Sequence, residues 1–500
     1  MANAFDPSNF DSRRTKFPEI IVANNTKLDD IVVGVIGPVD APRVIGVPED
    51  LNQEAKVQQA LSANGLSCAD GKITVATLPS ARVVAVGLGS NADVSSELLR
   101  QGAGTAMRFI ASESYPQPRT VAISFAAGGK SNVQAITEGA LLGCYSFSKL
   151  SAELAPQSVE QICLLDATDD SKLAVERGII IAQAVAVARD WVNLPPNFLY
   201  PESFADQARG YLKDTKAQVS VLDEKALEKQ GFGGILAVGG GSVRPPRLVI
   251  ADYRPREAKK HLVLIGKGIT FDSGGYNLKP GSSMITMKCD MSGAADVIAA
   301  IGAIARLGLN VHVTALAPMA ESMVSGKAYR PSDVLTIFDG TTVENANSDA
   351  EGRIVLADAI ARASKDRPDM IIDVATLTGA CVNALGNRTA GLFANSDTSA
   401  DRVLDAASVT GETFWQLPIL DDARKNLDSA VADLKSSGTR AGGLVFSAAF
   451  LEKFVGEGIE WAHLDIAGPA WADEAHDYVS KEGTGMSVRT LIEVANQMSK

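Results

Sequence analysis

LVLIGKGITFDSGGYNLKPGSSMITMKCDMSGAAD, residues 262–296, begins as a near-continuous apolar run and ends among charges and glycines. Such a run suits a central strand buried on both faces of a parallel sheet. It leads directly into Lys267, Asp272, Lys279, Lys288 and Asp290. In buried α/β sheets ligands gather at the carboxyl ends of strands. The stretch therefore predicts an α/β fold with its site where this strand stops. Two more segments share the character. NANSDAEGRIVLADAI (345–360) carries Asp349, Glu351 and Arg353 on alternating positions before a helix. In extended backbone those three side chains point the same way. VATLTGA (374–380) is a polar strand end.

The surrounding chain continues the pattern. Strands are expected at 247–253, 261–266, 310–318 and 369–377, with helices at 294–308, 352–364 and 442–455. Earlier, β-branched runs at 30–37, 72–78, 82–89, 120–127 and 161–167 alternate with helical spacing at 97–112 and 132–150. Residues 168–191 read as one long helix, ended by Pro195, Pro196 and Pro201 in NLPPNFLYP. The expectation is a two-domain α/β protein. Its parts are a smaller N-terminal α/β domain (1–167), a linking helix (168–191) and a larger catalytic α/β domain (192–500) around a central mixed, largely parallel sheet. A length of 500 residues suits two domains better than one.

Composition narrows the function. Lys and Arg number 47 against 59 Asp and Glu, a net charge of −12, which opposes nucleic acid or an anionic membrane as main partner. The five cysteines are scattered and form no CxxC pair, as in a reduced cytosolic protein. SRRTKF (12–17) resembles part of a twin-arginine signal, but Pro18 and Glu19 deny it the apolar stretch that must follow. The longest apolar run, 178–188, has 11 residues, where a bilayer needs about 20. A soluble, cytoplasmic protein without membrane contact is expected.

Asp272, Asp290, Asp349 and Glu351 would place four carboxylates in one pocket, where they repel unless cations neutralise them. Two divalent ions would suffice and would form a two-metal clamp. Histidine chemistry is scarce, with only His261, His312, His463 and His476. There is no HExxH motif, so oxygen ligands must dominate, with a lysine amine as a further candidate ligand. GFGGILAVGGGS (231–242) lacks phosphate-loop spacing, and no GxSxG elbow occurs. Cys289, beside acids, reads as a packing residue and His463 as a hydrogen-bonded core histidine.

At these residues the chain resembles the leucine aminopeptidase, or cytosol aminopeptidase, family. NSDAEGR (347–353) is similar to the NTDAEGR signature, with Ser348 for Thr; GKGITFDSGGYNLKP (266–280) and MKCDMSGAA (287–295) are similar to two further metal-site segments. Weaker similarities extend collinearly over roughly 138–471, including NLPPNFLYP, APMAESMVSGKAYRPSDVLT (317–336) and WAHLDIAGPAW (461–471). The resemblance implies that Lys267, Asp272, Asp290, Asp349 and Glu351 bind two zinc or manganese ions. Asp272 and Glu351 would bridge both ions, Lys267 and Asp290 would complete one site, and Asp349 the other. It further implies catalytic positions at Lys279 and Arg353, a bicarbonate general base held by Arg353, and a homohexamer. The substrate would be a peptide with a free N-terminus, preferably leucine-like; Met284 and Met287 are candidates for the side-chain pocket. Ser292 stands where Gly is common, and Pro469 precedes Ala470 where Thr is usual. Two rivals use the same features: a two-metal phosphoesterase, and a DNA-binding regulator that the net charge disfavours.

Overall fold

The computed structural model describes residues 15–22, 28–48, 54–91, 93–147, 150, 157–438 and 442–500. Arg13 and Arg14 of the signal-like segment lie outside them, as do residues 148–149 at the end of the expected 132–150 helix. The chain divides into two compact units: residues 1–186 with 473–481, and 187–472 with 482–500. The boundary falls within the helix Lys172–Asn193, which follows a single 3-10 turn, Asp169–Ser171.

The first unit is a seven-stranded sheet. Its order is Glu19–Ile21, Val159–Leu164, Arg119–Ser124, Asp30–Ile36, Arg82–Gly87 and Ile73–Thr77, with Arg43–Ile45 paired to Asp30–Ile36. The pairings of Ile73–Thr77 and Arg43–Ile45 are antiparallel and the rest parallel. Helices Ser96–Ser112 and Lys130–Gly143 belong to the same unit. Asp30, fully buried, accepts from Arg82 Nε at 2.5 Å and Arg119 Nε at 2.7 Å, which neutralises it inside the sheet.

The second unit is built on a nine-stranded mixed sheet. Its path is Phe414–Gln416, Ala390–Ala394, Glu460–Asp465, Met370–Ala375, His261–Gly266, His312–Ser322, Arg247–Tyr253 and Gln218–Leu222. The four middle strands, Glu460–Asp465 to His312–Ser322, run parallel and in step, with Leu262 opposite both Met370 and Val313. Their carboxyl ends therefore open at one edge. Val263 and Ile265 join Ile354, Leu356 and Ile360 of helix Glu351–Ser364 in one apolar cluster. Leu262 and Leu264 point to the other face by alternation, where helix Ser292–Leu307 packs. Both faces are covered, which is why the run of 262–266 is apolar throughout.

Beyond Gly266 the chain does not become an open loop. Gly268–Asp272 forms a further short strand, parallel to the distal half of His312–Ser322. That extends the sheet past the expected strand end and carries Asp272 outward on a rigid support.

Candidate metal centre

Lys267 follows the central strand directly, and its backbone N–H donates to Val374 O at 3.0 Å. Its buried ammonium lies 2.8 Å from Asp290 Oδ1 and 2.9 Å from Glu351 Oε1, and donates to Thr376 O at 3.1 Å. Asp290 sits on the 3-10 turn Met287–Met291 and also accepts from Thr376 Oγ1 at 2.9 Å. Glu351 opens the helix Glu351–Ser364. Gly352 is needed beside it: a Cβ there would stand 2.5 Å from Lys267 Cε, so a side chain would displace the lysine.

Asp272 ends its strand and accepts from the Gly274 N–H at 2.8 Å through Oδ1. Gly274 has φ +85°, which favours glycine, and any Cβ would lie 2.8 Å from Asp349 Oδ1. The turn returns the chain so that Lys279 Nζ reaches Asp272 Oδ2 at 2.8 Å and Asp349 Oδ1 at 2.6 Å. Four carboxylates and two ammonium groups thus interleave. Asp272, Asp290 and Glu351 each offer an oxygen, and these lie within 4.8 Å of one another.

The extended reading of 349–353 does not hold. Asp349 lies in the 3-10 turn Ser348–Ala350, and Glu351 and Arg353 in the first helical turn. Helical positions two apart point to different sides. Glu351 accordingly meets Lys267, while Arg353 turns to Ser436 O, to which Nη1 donates at 2.8 Å. Arg353 forms no ion pair with a carboxylate among the described residues, and its buried Nε has no hydrogen-bond partner there. Burial lowers its guanidinium to about 10.

Charge and burial compete throughout the cluster. Burial, reinforced by Glu351, raises Asp272 above the ordinary Asp range, and burial likewise raises Asp290 and Asp349. Burial also opposes the charge on Glu351, but Lys267 and Lys279 outweigh it and hold Glu351 below its usual value. Burial would lower both lysines, yet the surrounding carboxylates keep them above the usual ammonium range. Asp290 Oδ2 and Glu351 Oε2 are buried without a hydrogen-bond partner among the described residues. Buried charged oxygens left unpaired are costly. Two hard oxygen donors converging in this way fit a divalent cation.

The remaining expected residues sort clearly. Lys288 lies apart, donating to Asn193 O at 3.0 Å and pairing with Glu482 at 2.9 Å. Cys289 is buried, and burial with Asp290 beside it pushes its thiol up to about 12, which suits packing rather than nucleophilic attack. His463 is a core histidine whose Nδ1 lies 2.5 Å from Asp373 Oδ1. Met284 and Met287 are half-buried on adjacent short turns. Sequence reasoning missed Thr376 as the partner of both Lys267 and Asp290; its only signal was polarity at a strand end. Tyr329, whose hydroxyl donates to Ser348 O at 2.7 Å, gave none.

The cytosol aminopeptidase family's catalytic-domain model matches residues 186–492, and its N-terminal-domain model matches residues 33–153. A probable cytosol aminopeptidase of Cutibacterium acnes is 47% identical over 492 residues, covering 96% of each chain. One from Streptomyces griseus is 46% identical over 507 residues, covering 95% of this chain and 97% of its own. Among solved structures, the bottromycin maturation enzyme BotP in complex with Mn superposes with a TM-score of 0.84 at 37% identity, covering 95% of this chain and all of BotP's. The chain belongs to the cytosol aminopeptidase family and is a metal-dependent aminopeptidase, a hydrolase of peptide bonds.

Proposed function

We propose that Lys267, Asp272, Asp290, Asp349 and Glu351 hold two divalent ions, zinc or manganese. Asp272 and Glu351 are shared, Lys267 and Asp290 complete one site, and Asp349 the other. The observation that carries this is the pair of buried, unpartnered oxygens, Asp290 Oδ2 and Glu351 Oε2, within a cluster of buried carboxylates. Such ions, when bound, bring the acidity of water towards neutrality and polarise a scissile carbonyl.

The chain's own groups do the rest. Lys267 supplies positive charge between Asp290 and Glu351 in the ion-free protein and, as the neutral amine, would be a ligand to a bound ion. Lys279, released from Asp272 and Asp349, donates to the oxyanion that develops on the substrate carbonyl. One such donor is typically worth about 2.7–4 kcal/mol. The unpartnered Nε of Arg353 supports an anion there, and that planar fork would hold a bicarbonate that would supply the general base.

The substrates are peptides with a free N-terminus, preferably leucine-like. The machinery lies within residues 192–500, following a smaller domain at 1–167 and the linking helix at 168–191. A cytoplasmic homohexamer completes the reading; among the described residues no helix is long and apolar enough to cross a membrane. The test is release of anilide from leucyl anilide before and after chelation, with a chromogenic phosphate ester in parallel. Loss of leucyl anilide hydrolysis on chelation and its return with Mn2+ or Zn2+ are expected. Undiminished turnover by fully stripped protein, or preference for the phosphate ester, overturns the reading.

A further inference from the structure

Two segments bring most of the charged cluster together, and a single serine joins them. Asp272 and Lys279 flank the turn at 272–279; Asp349 and Glu351 follow Ser348. Every polar group of Ser348 is engaged. Its N–H donates to Asn277 Oδ1 at 2.9 Å, and its carbonyl accepts from Tyr329 at 2.7 Å. Its hydroxyl accepts from the Asn277 N–H at 2.8 Å, and its single proton has Gly274 O at 2.8 Å and Asn277 Oδ1 at 2.9 Å in reach. Ser348 is fully buried, whereas Asn277 lies on the exposed rim of the turn.

The other link between these segments is the ion pair Lys279–Asp349, at 2.6 Å. It is an unsuitable register pin. Lys279 occupies oxygens of Asp272 and Asp349, so a cation binding those oxygens displaces it. The hydrogen bonds of Asn277 with Ser348 are neutral and use no carboxylate, so a cation that takes the carboxylate oxygens does not compete for them.

We propose that Asn277 and Ser348 are a positioning pair that fixes the spacing of Asp272 relative to Asp349 and Glu351 and so pre-organises the site for divalent cations. This rests on the metal-centre reading above. Neither residue is among the groups assigned above to the ions or the substrate. The pair's effect is on affinity: without it the two segments must be ordered by the ions themselves, which weakens binding.

The test uses full-length, metal-stripped protein and Mn2+ titrated against a fluorescent chelator. Asn277→Ala, Ser348→Ala, the double variant and Ser348→Thr are compared, with thermal unfolding of each stripped protein alongside. Asn277→Ala removes no core contact. Each alanine variant is expected to bind Mn2+ about tenfold or more weakly, the range typical of supporting partners around metal ligands. Asn277→Ala removes the acceptor of the Ser348 N–H, and Ser348→Ala removes the hydroxyl that holds the Asn277 N–H and Gly274 O, so the double variant should bind Mn2+ more weakly than either single one. Ser348→Thr, which keeps the hydroxyl, should bind as the unaltered protein does. Lowered unfolding midpoints with unchanged Mn2+ affinity would show structural packing only and overturn the proposal. An unaltered protein that binds no Mn2+ overturns the metal-centre reading along with it.

Discussion

Lys267 and Glu351 form a buried ion pair, Nζ to Oε1 at 2.9 Å, between a residue that directly follows a strand and a residue that begins a helix. The same ammonium serves Asp290 at 2.8 Å. Replacing it with an apolar side chain leaves two buried carboxylates without their counter-charge. Breaking a buried pair from one side typically costs about 3–5 kcal/mol. Lys267→Met is expected to lower the stability of the metal-stripped protein by about that amount. Denaturant unfolding followed by tryptophan fluorescence is the measurement. All four tryptophans, Trp191, Trp415, Trp461 and Trp471, lie in the second unit. Unchanged stability in Lys267→Met would show that the pair is not holding the strand to the helix.

Glu351→Ala and Asp272→Ala each remove a carboxylate that faces the others. Both variants are expected to fold, to lose bound metal and to lose leucyl anilide hydrolysis to background. Metal content and turnover should be measured on one preparation. A variant that keeps either ion count or activity refutes the shared-ligand assignment.

Arg353 is separated from this charge network and bonded through Nη1 to Ser436 O. Arg353→Ala is therefore expected to retain metal while losing rate, and added bicarbonate should no longer stimulate it. General acid–base groups typically contribute about 10²- to 10⁴-fold, which sets the scale of the loss. If bicarbonate stimulates the variant and the unaltered enzyme alike, another group is the base.

A separate pH effect is built into the second unit. The rings of His261 and His312 stack at 3.7 Å between centroids on neighbouring parallel strands. His261 Nε2 lies 2.9 Å from Thr314 Oγ1, and His312 Nε2 lies 2.7 Å from Asp252 Oδ1. Burial first, then His312, then Arg254, lower His261 from 6.5 to about 4, against opposing contributions from Asp252 and Asp366. The unfolded chain takes up a proton at this residue before the folded one does. The stabilisation is present above the unfolded value and is lost as pH falls from 6.5 towards about 4. His261→Gln should flatten the decline of the unfolding midpoint across that window. An equally steep decline in the variant would place the acid sensitivity elsewhere.

Much of this site was legible because its residues sit at strand ends. The apolar run before Lys267 announced a strand covered on both faces, and the helices Ser292–Leu307 and Glu351–Ser364 are indeed what cover it. The acids were legible as a group through their number and their glycine-rich setting. Their local geometry was not. Alternation at 349, 351 and 353 suggested extended backbone, but helix formation at Glu351 prevailed, and packing of Ile354, Leu356 and Ile360 against the sheet selects it. The neutralising role of Lys279 was also hidden, since it depends on the reversal at Gly274, whose φ of +85° no periodicity displays. Thr376, Tyr329 and Asn277 act through contacts across long sequence separations, and such partners leave no spacing signature.

Residues 473–481 complete the first unit although almost the whole second unit precedes them in the chain. Within that unit Tyr478 donates its hydroxyl to Glu97 at 2.9 Å, and Asp477 O accepts from Arg108 at 2.6 Å. The ribosome therefore releases the N-terminal sheet long before its last partner exists. A fragment cut after Ala186 lacks that partner permanently. The amino-terminal unit is the first to be begun, yet it is completed only after residue 472 of the second unit has been made.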